Sequence, residues 1–133
     1  MATANEHPLV RLETAALIGI GGFAGSNLRY FLDGVAPGPQ AMGTLLVNAA
    51  GSIALGFILY EAMYSGLLGE RTRLVAATGF LSSFTTYSTF AVQTALLESP
   101  LWMVLNVFAN YALGFAGVLV GRQLARTIEG SDG

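Results

Sequence analysis

The chain has 133 residues, of which 53% are hydrophobic and 11% are charged, with a mean hydropathy of +0.60 and a net charge of −2. Such a low charged fraction cannot cover the surface of a water-soluble domain, in which about a quarter of residues are charged. The slight negative charge argues against nucleic acid as a partner. A chain without cysteine has no disulfide and no thiolate metal site.

Four apolar segments follow one another along the chain. Charge-free runs cover 34–60, 74–97 and 99–121, and each is at or above the roughly 20 residues that cross about 30 Å of hydrocarbon. The connections are too short for a further domain. The sequence therefore predicts an all-α membrane protein with a single transmembrane domain over 1–133. Its predicted spans are about 12–32, 42–64, 74–97 and 101–125.

The arginines are distributed unevenly between the two sides of the membrane. With four spans, both termini lie on the same side as the second loop, and basic residues in short loops mark the cytoplasmic side. Only Arg29 lies toward the opposite side. We therefore predict a cell-membrane protein with both termini in the cytoplasm. The arginines on the predicted cytoplasmic side are Arg11, Arg71, Arg73, Arg122 and Arg126.

Polar side chains inside the spans repeat at helical spacing, so that they share helix faces. Such stripes either line an ion path or bond to their own backbone and to neighbouring helices, and the pattern alone leaves both open. The second span carries Thr44, Asn48 and Ser52, and the fourth carries Asn106 and Asn110. The G-x-x-x-G pairs Gly21/Gly25 and Gly117/Gly121 predict close helix packing.

The third span contains the most specific pattern, six hydroxyl residues and a tyrosine within 82–89. A regular helix would turn some of these groups to lipid, so we predict a break whose freed carbonyls face protein, water or a hard cation such as Na⁺. A small anion would instead need N–H and O–H donors and the positive edge of aromatic rings. Tyr87 and Phe90, three residues apart, supply such edges, while Asn48, Thr44, Ser52 and Thr89 supply donors.

Three motifs resemble those of the Fluc (CrcB) fluoride channels in order and spacing. They are the first-span GGFAGSNLRY at 21–30, the second-span GTLLVNAAGS at 43–52 and the third-span GFLSSFTTYSTF at 79–90. The resemblance covers nearly the whole chain. Two positions depart from the family pattern, since Ser82-Ser83 replaces a Gly-Gly pair and Tyr87 replaces a phenylalanine.

The resemblance implies a fold, a function and a set of site residues. Two subunits would pack antiparallel, one inverted in the membrane, and form two fluoride pores around a central structural Na⁺. The Na⁺ would be held by the backbone carbonyls of Ser82 and Thr85. The implied pore residues are Asn48, Tyr87, Phe90, Ser88, Thr89, Thr44, Arg29 and Asn110, with Asn106 as a further fourth-span candidate.

The partner of the implied dimer remains open. A homodimer of inverted copies requires one sequence to insert both ways, whereas the arginine bias favours a single orientation. A chain that inserts in one orientation could instead pair with a separately encoded homologue of the opposite orientation.

Two other functions compete with a passive fluoride channel that catalyses no reaction. A small four-helix proton-coupled drug exporter would need a carboxylate at mid-membrane, and Glu13 and Glu61 lie only at the ends of spans. The other alternative is a non-conducting partner subunit held by its G-x-x-x-G faces.

Overall fold

The computed structural model describes residues 7–131, so the ends of the predicted domain, 1–6 and 132–133, lie outside the described residues. Within 7–131 every regular element is helical. The elements are α1 (Pro8–Val35), α2 (Gln40–Tyr64), α3 (Glu70–Arg73), a π-helical segment (Leu74–Leu81), α4 (Ser82–Phe84), α5 (Tyr87–Ala95) and α6 (Pro100–Glu129).

Three of these helices, α1, α2 and α6, are long and apolar enough to cross a membrane. The helices α1 and α6 extend past their predicted spans at both ends, and α2 extends at its start. Pro8 and Pro100 are favourable first-turn residues, so α1 and α6 begin there. The predicted third span is divided, as the hydroxyl run suggested. Its helical part begins earlier than expected, at Glu70, and ends at Ala95 rather than at Leu97.

Glycines allow the backbone of α1 to contact the backbone of the π-helical segment directly. A Cβ added to Gly21 would meet the Val75 carbonyl, and one added to Gly25 would meet the Phe80 carbonyl. On the opposite side of this contact, a Cβ on Gly79 would lie 2.5 Å from the Ile18 carbonyl oxygen. The predicted packing role of the Gly21/Gly25 pair is therefore confirmed.

A second glycine contact joins α2 to α6. A Cβ on Gly121 would meet the Ile53 carbonyl, and one on Gly117 would lie 3.1 Å from the Ala49 carbonyl oxygen. From the α2 side, a Cβ on Gly56 would lie 2.5 Å from the Val118 carbonyl oxygen. The Gly117/Gly121 pair thus also packs helices closely, as predicted.

A small apolar core lies where these two helix pairs meet. Val47 of α2 packs with Leu81 and with Phe84 of α4, and all three are buried. This core is directly next to residues 85–86, where the third segment is interrupted. The packing therefore positions the interruption against α2.

Two arginines near helix ends contact residues of other helices. Arg71, just before the π-helical segment, forms an ion pair with Glu13 of α1 at 2.9 Å. The Arg122 guanidinium lies over the ring of Tyr60, near the end of α2. The five arginines predicted on one side accordingly lie toward one end of the helix bundle.

Candidate functional site

The third segment leaves the helical conformation at Thr85 and Thr86. Their backbone angles are extended, with φ −77° and ψ 155° at Thr85 and φ −149° and ψ 126° at Thr86. The amide of Thr85 still donates to the Leu81 carbonyl at 3.0 Å, so the helix stops immediately after that bond. The predicted break is therefore present, and it is two residues long.

Asn48 of α2 binds the backbone of the break from the side. Its Nδ2 donates to the Thr86 carbonyl at 2.9 Å, and its Oδ1 accepts from the Thr86 N–H at 2.9 Å. In a continuous helix that N–H would bond to the carbonyl of Ser82. The side chain of Asn48 thus satisfies the backbone N–H that the break would otherwise leave unpaired, and it adds a donor to the Thr86 carbonyl, which also begins α5.

Thr86 also begins the next helix. Its Oγ1 accepts from the Thr89 N–H at 3.2 Å, an N-cap interaction that satisfies one free donor of α5. The hydroxyl of Thr86 also lies 3.1 Å from that of Thr89 and 3.4 Å from that of Ser88. The predicted site hydroxyls Ser88 and Thr89 are therefore grouped around the cap of α5.

The carbonyls predicted to bind a cation lie at the same break. The Thr85 carbonyl accepts a long, 3.4 Å hydrogen bond from Nη1 of Arg29, so a cationic side chain already faces this oxygen. The Ser82 carbonyl lacks the helical donor at Thr86, which is bonded to Asn48 instead. Each oxygen keeps a lone pair for a hard cation, and the donor type suits Na⁺.

Aromatic rings follow the break on α5. The centroids of Tyr87 and Phe90 are 5.7 Å apart, so the two rings share a face as their spacing predicted. Phe90 is 7% exposed and meets Tyr111 of α6 edge to face at 6.5 Å. Tyr87 is 72% exposed on the single chain. One ring is therefore fixed inside the protomer and the other lies at its surface.

A row of polar groups continues from Phe90 between α5 and α6. Thr94 Oγ1 donates to the Phe90 carbonyl at 2.7 Å and accepts from Asn106 Nδ2 at 2.7 Å. Asn110 Nδ2 donates to the Asn106 carbonyl at 2.9 Å. The buried oxygens Asn110 Oδ1 and Thr44 Oγ1 have no hydrogen-bond partner within the described residues. The row thus ends at the buried amide oxygen of Asn110, which is unpaired within the described residues.

An open cavity of about 410 Å³ lies against the break. Of the predicted site residues it brings together four, Asn48, Ser82, Thr85 and Tyr87. The others lie outside its lining: Thr44, Arg29, Ser88, Thr89, Phe90 and Asn110.

Two residues of this region were not singled out from the sequence. From the sequence, Thr86 is only one hydroxyl of the run at 82–89, and nothing singles out Tyr111. A threonine directly before the second half of a broken helix is a signal for an N-cap. Its hydroxyl oxygen can accept the N–H of the residue three positions later, here Thr89. Tyr111 carried no local signal, because its contact with Phe90 joins two separate helices.

The fold and this region together define a helical membrane protein with a polar break in one of its helical segments. Residues 16–122 match the family model described as CrcB-like protein, Camphor Resistance (CrcB). The chain belongs to this CrcB family.

Relatives of the chain carry a more specific name. The chain is 60% identical over 127 residues to fluoride-specific ion channel FluC 1 of Haloarcula marismortui, covering 96% of this chain and 97% of the relative. It is 52% identical over 118 residues to FluC 2 of Halobacterium salinarum, covering 88% and 90%. It is 53% identical over 111 residues to FluC 1 of Natronomonas pharaonis, covering 84% and 92%. These names describe ion channels, not enzymes.

Proposed function

We propose that the chain is a subunit of a fluoride channel that lets fluoride leave the cytoplasm passively and so lowers fluoride toxicity. One observation carries this proposal beyond the names of the relatives. Hydroxyl groups and aromatic rings, with the amide of Asn48, are gathered at a helix break. Such donors and ring edges replace the water that a small anion loses on entering a membrane.

In the proposed channel, fluoride passes along the face that contains Tyr87 and Phe90. Ring edges and hydroxyls stabilise the anion by direct contact. The buried oxygen of Thr44 can donate its hydrogen to fluoride, because a hydroxyl is both donor and acceptor. Arg29 lies next to the break and raises the local potential for an anion.

The third and fourth predicted spans belong to the same proposal. The segments on either side of the break, 70–84 and 87–95, together form the third span, and α6 forms the fourth. Irregular backbone at membrane depth is tolerated only inside protein or beside water. On one side, the backbone of the break contacts Asn48 of α2. On the other side lies the open cavity, so this side is uncovered in a single chain.

A second, inverted subunit is the proposed cover for that open side. Ser82 and Tyr87 are exposed on the single chain although they belong to the site, which supports an interface here. The bias of arginines toward one end favours a heterodimer with an oppositely oriented homologue over a homodimer. The same bias supports cytoplasmic termini for this chain.

A structural Na⁺ between the two subunits is a further part of the proposal. The carbonyls of Ser82 and Thr85 would hold it, and the ion would neutralise the dipoles of two broken helices that meet there. Arg29 occupies only one lone pair of the Thr85 oxygen, so the remaining one can serve the cation.

The drug-exporter alternative lacks a suitable carboxylate in the part of the chain that the structure describes. Glu13 is tied to Arg71 at a helix end. Glu61 accepts the Leu68 N–H at 2.8 Å, at the end of α2. Neither carboxylate is at the break, where a proton-coupled exporter would need one.

Fluoride efflux from liposomes tests the proposed function. Purified chain, alone and together with a co-encoded homologue, is reconstituted and fluoride release is followed with an electrode against a chloride control. Fluoride release by either preparation supports the channel. Absence of release from both, with correctly inserted protein, rejects it. Release only with the homologue supports the heterodimer, and tags reaching both membrane faces in cells expressing this chain alone would contradict it.

A further inference from the structure

Two tyrosines and an arginine form a compact cluster where α2 and α6 end together. The rings of Tyr60 and Tyr64 stack with centroids 4.4 Å apart and planes 27° from parallel. The Cζ atom of Arg122 lies 5.0 Å from the centroid of the Tyr60 ring. Arg126 follows Arg122 by one helical turn and so lies on the same face of α6. One guanidinium group therefore lies over the stacked pair, and a second follows one turn further on the same face of α6.

The charge of this cluster is not balanced by a neighbouring carboxylate. Among residues 7–131 the ion pair that forms is Arg71 with Glu13, on other helices. The Glu61 carboxylate, next in sequence to Tyr60, is buried and bonds to the Leu68 N–H. Glu129 is exposed and makes no ion pair in the described part of the chain. The cluster is thus available to an external anion.

The cluster lies at the boundary of the apolar part of the helices. Tyr60 is the last residue of the charge-free run 34–60, and Arg122 directly follows the charge-free run 99–121. Tyrosine is enriched at this depth because its ring is apolar and its hydroxyl polar. Guanidinium groups bind phosphate oxygens in a two-pronged geometry and stack on aromatic faces. These properties match the phosphate of a lipid headgroup.

Apolar side chains next to the cluster favour a lipid over a free phosphate ion. Met63, which shares a helix face with Tyr60, is 73% exposed. Leu119, one turn before Arg122, is 60% exposed. A ligand with its phosphate at the arginines would place its acyl chains along these side chains. Free phosphate would leave them without a partner.

We propose that Tyr60, Tyr64, Arg122 and Arg126 form a binding site for the phosphate of an anionic phospholipid at this end of the bundle. The site depends on the membrane location of the helices and not on fluoride conduction. Its occupant would hold the ends of α2 and α6 together, beyond the last glycine contact between them. The cation–π contact holds one guanidinium in place before the lipid binds.

Native mass spectrometry of the detergent-purified protein tests this site with dioleoyl phosphatidylglycerol, dioleoyl phosphatidylcholine and inorganic phosphate as separate probes. We expect retention of phosphatidylglycerol and not of phosphatidylcholine. The double variant Arg122→Gln/Arg126→Gln should weaken retention by about fivefold per arginine. The matched control Arg11→Gln/Arg73→Gln removes the same charge from the same end and should weaken retention by less than about twofold.

Each alternative result overturns the proposal. An equal loss of phosphatidylglycerol retention in the two double variants would mean that the lipid responds to diffuse surface charge. Equal retention of both lipids by the unmodified protein would mean that the headgroup is not recognised. Binding of inorganic phosphate as tight as that of the anionic lipid would point to a soluble anion. Because none of these readouts uses flux, they are independent of the fluoride assay. The comparison of lipids on the unmodified chain also remains decisive if a variant does not fold.

Discussion

The side-chain amide of Asn48 forms two hydrogen bonds with the backbone of Thr86. Both bonds are 2.9 Å long, one from Nδ2 to the Thr86 carbonyl and one from the Thr86 N–H to Oδ1. The amide oxygen thus takes the place of the Ser82 carbonyl, the helical partner that the break removes from the Thr86 N–H. An unpaired backbone group in a membrane costs several kcal/mol, so the broken conformation depends on a residue 38 positions earlier.

Replacing Asn48 by alanine should therefore destabilise the break. The Thr86 N–H loses its partner, at about 1–3 kcal/mol, and the Thr86 carbonyl loses one of its donors. We expect a clearly lower thermal midpoint in detergent and loss of fluoride efflux.

The matched control for Asn48 is Ser52→Ala, one turn further on the same face of α2. The Ser52 hydroxyl donates only to the Asn48 carbonyl of its own helix, at 2.8 Å, so its loss should change the thermal midpoint little. An Asn48→Ala protein as stable as Ser52→Ala would contradict the role of this amide.

Gly21→Ala should separate α1 from the π-helical segment. The new Cβ meets the Val75 carbonyl and lies 2.9 Å from the Phe80 amide nitrogen, and backbone atoms cannot move aside. Such overpacking costs about 1–3 kcal/mol. Gly19→Ala is the control, because no atom lies within 4 Å of its Cβ and alanine favours a helix. In unfolding followed by circular dichroism, the stability of Gly19→Ala should be at or above that of the unmodified chain, and that of Gly21→Ala should be lower. A Gly21→Ala protein more stable than Gly19→Ala would refute the packing.

Thr86→Val should weaken the start of α5. The variant keeps the shape of the side chain but removes the oxygen that accepts the Thr89 N–H. Loss of an N-cap costs about 1 kcal/mol. Thr86→Ser restores the acceptor and should recover the thermal midpoint. Equal midpoints for the valine and serine variants would show that the cap contributes nothing measurable.

Phe90→Ala should abolish or greatly reduce fluoride efflux if this ring faces the anion. Phe23→Ala is the control, since Phe23 is an equally large ring that is 75% exposed on α1, away from the break. Its efflux should equal that of the unmodified protein. Tyr87→Phe should keep efflux, because it retains the ring edge and removes only the hydroxyl. Unchanged efflux in Phe90→Ala with a normal folded fraction would remove Phe90 from the proposed pore.

Much of this architecture could be read from local patterns. Charge-free runs marked α2, the interrupted third segment and α6, because charged side chains are expensive in hydrocarbon. The G-x-x-x-G spacings indicated the close contacts of Gly21 and Gly121, since small residues on one face let helix backbones approach. The hydroxyl run at 82–89 predicted a break because a regular helix would expose some hydroxyls to lipid.

The tertiary structure decided what the side chains around the break contact. Asn48 is predicted as an anion donor, and the structure adds a second role, since both ends of its amide bind the backbone of Thr86. The edge contact between Phe90 and Tyr111 also joins separate helices. Periodicity gives the face of a helix on which a residue lies, but the partner depends on how the helices are arranged in space. The sequence by itself therefore determined the helices and the location of the break, and only the packing of α2, α5 and α6 determined its partners.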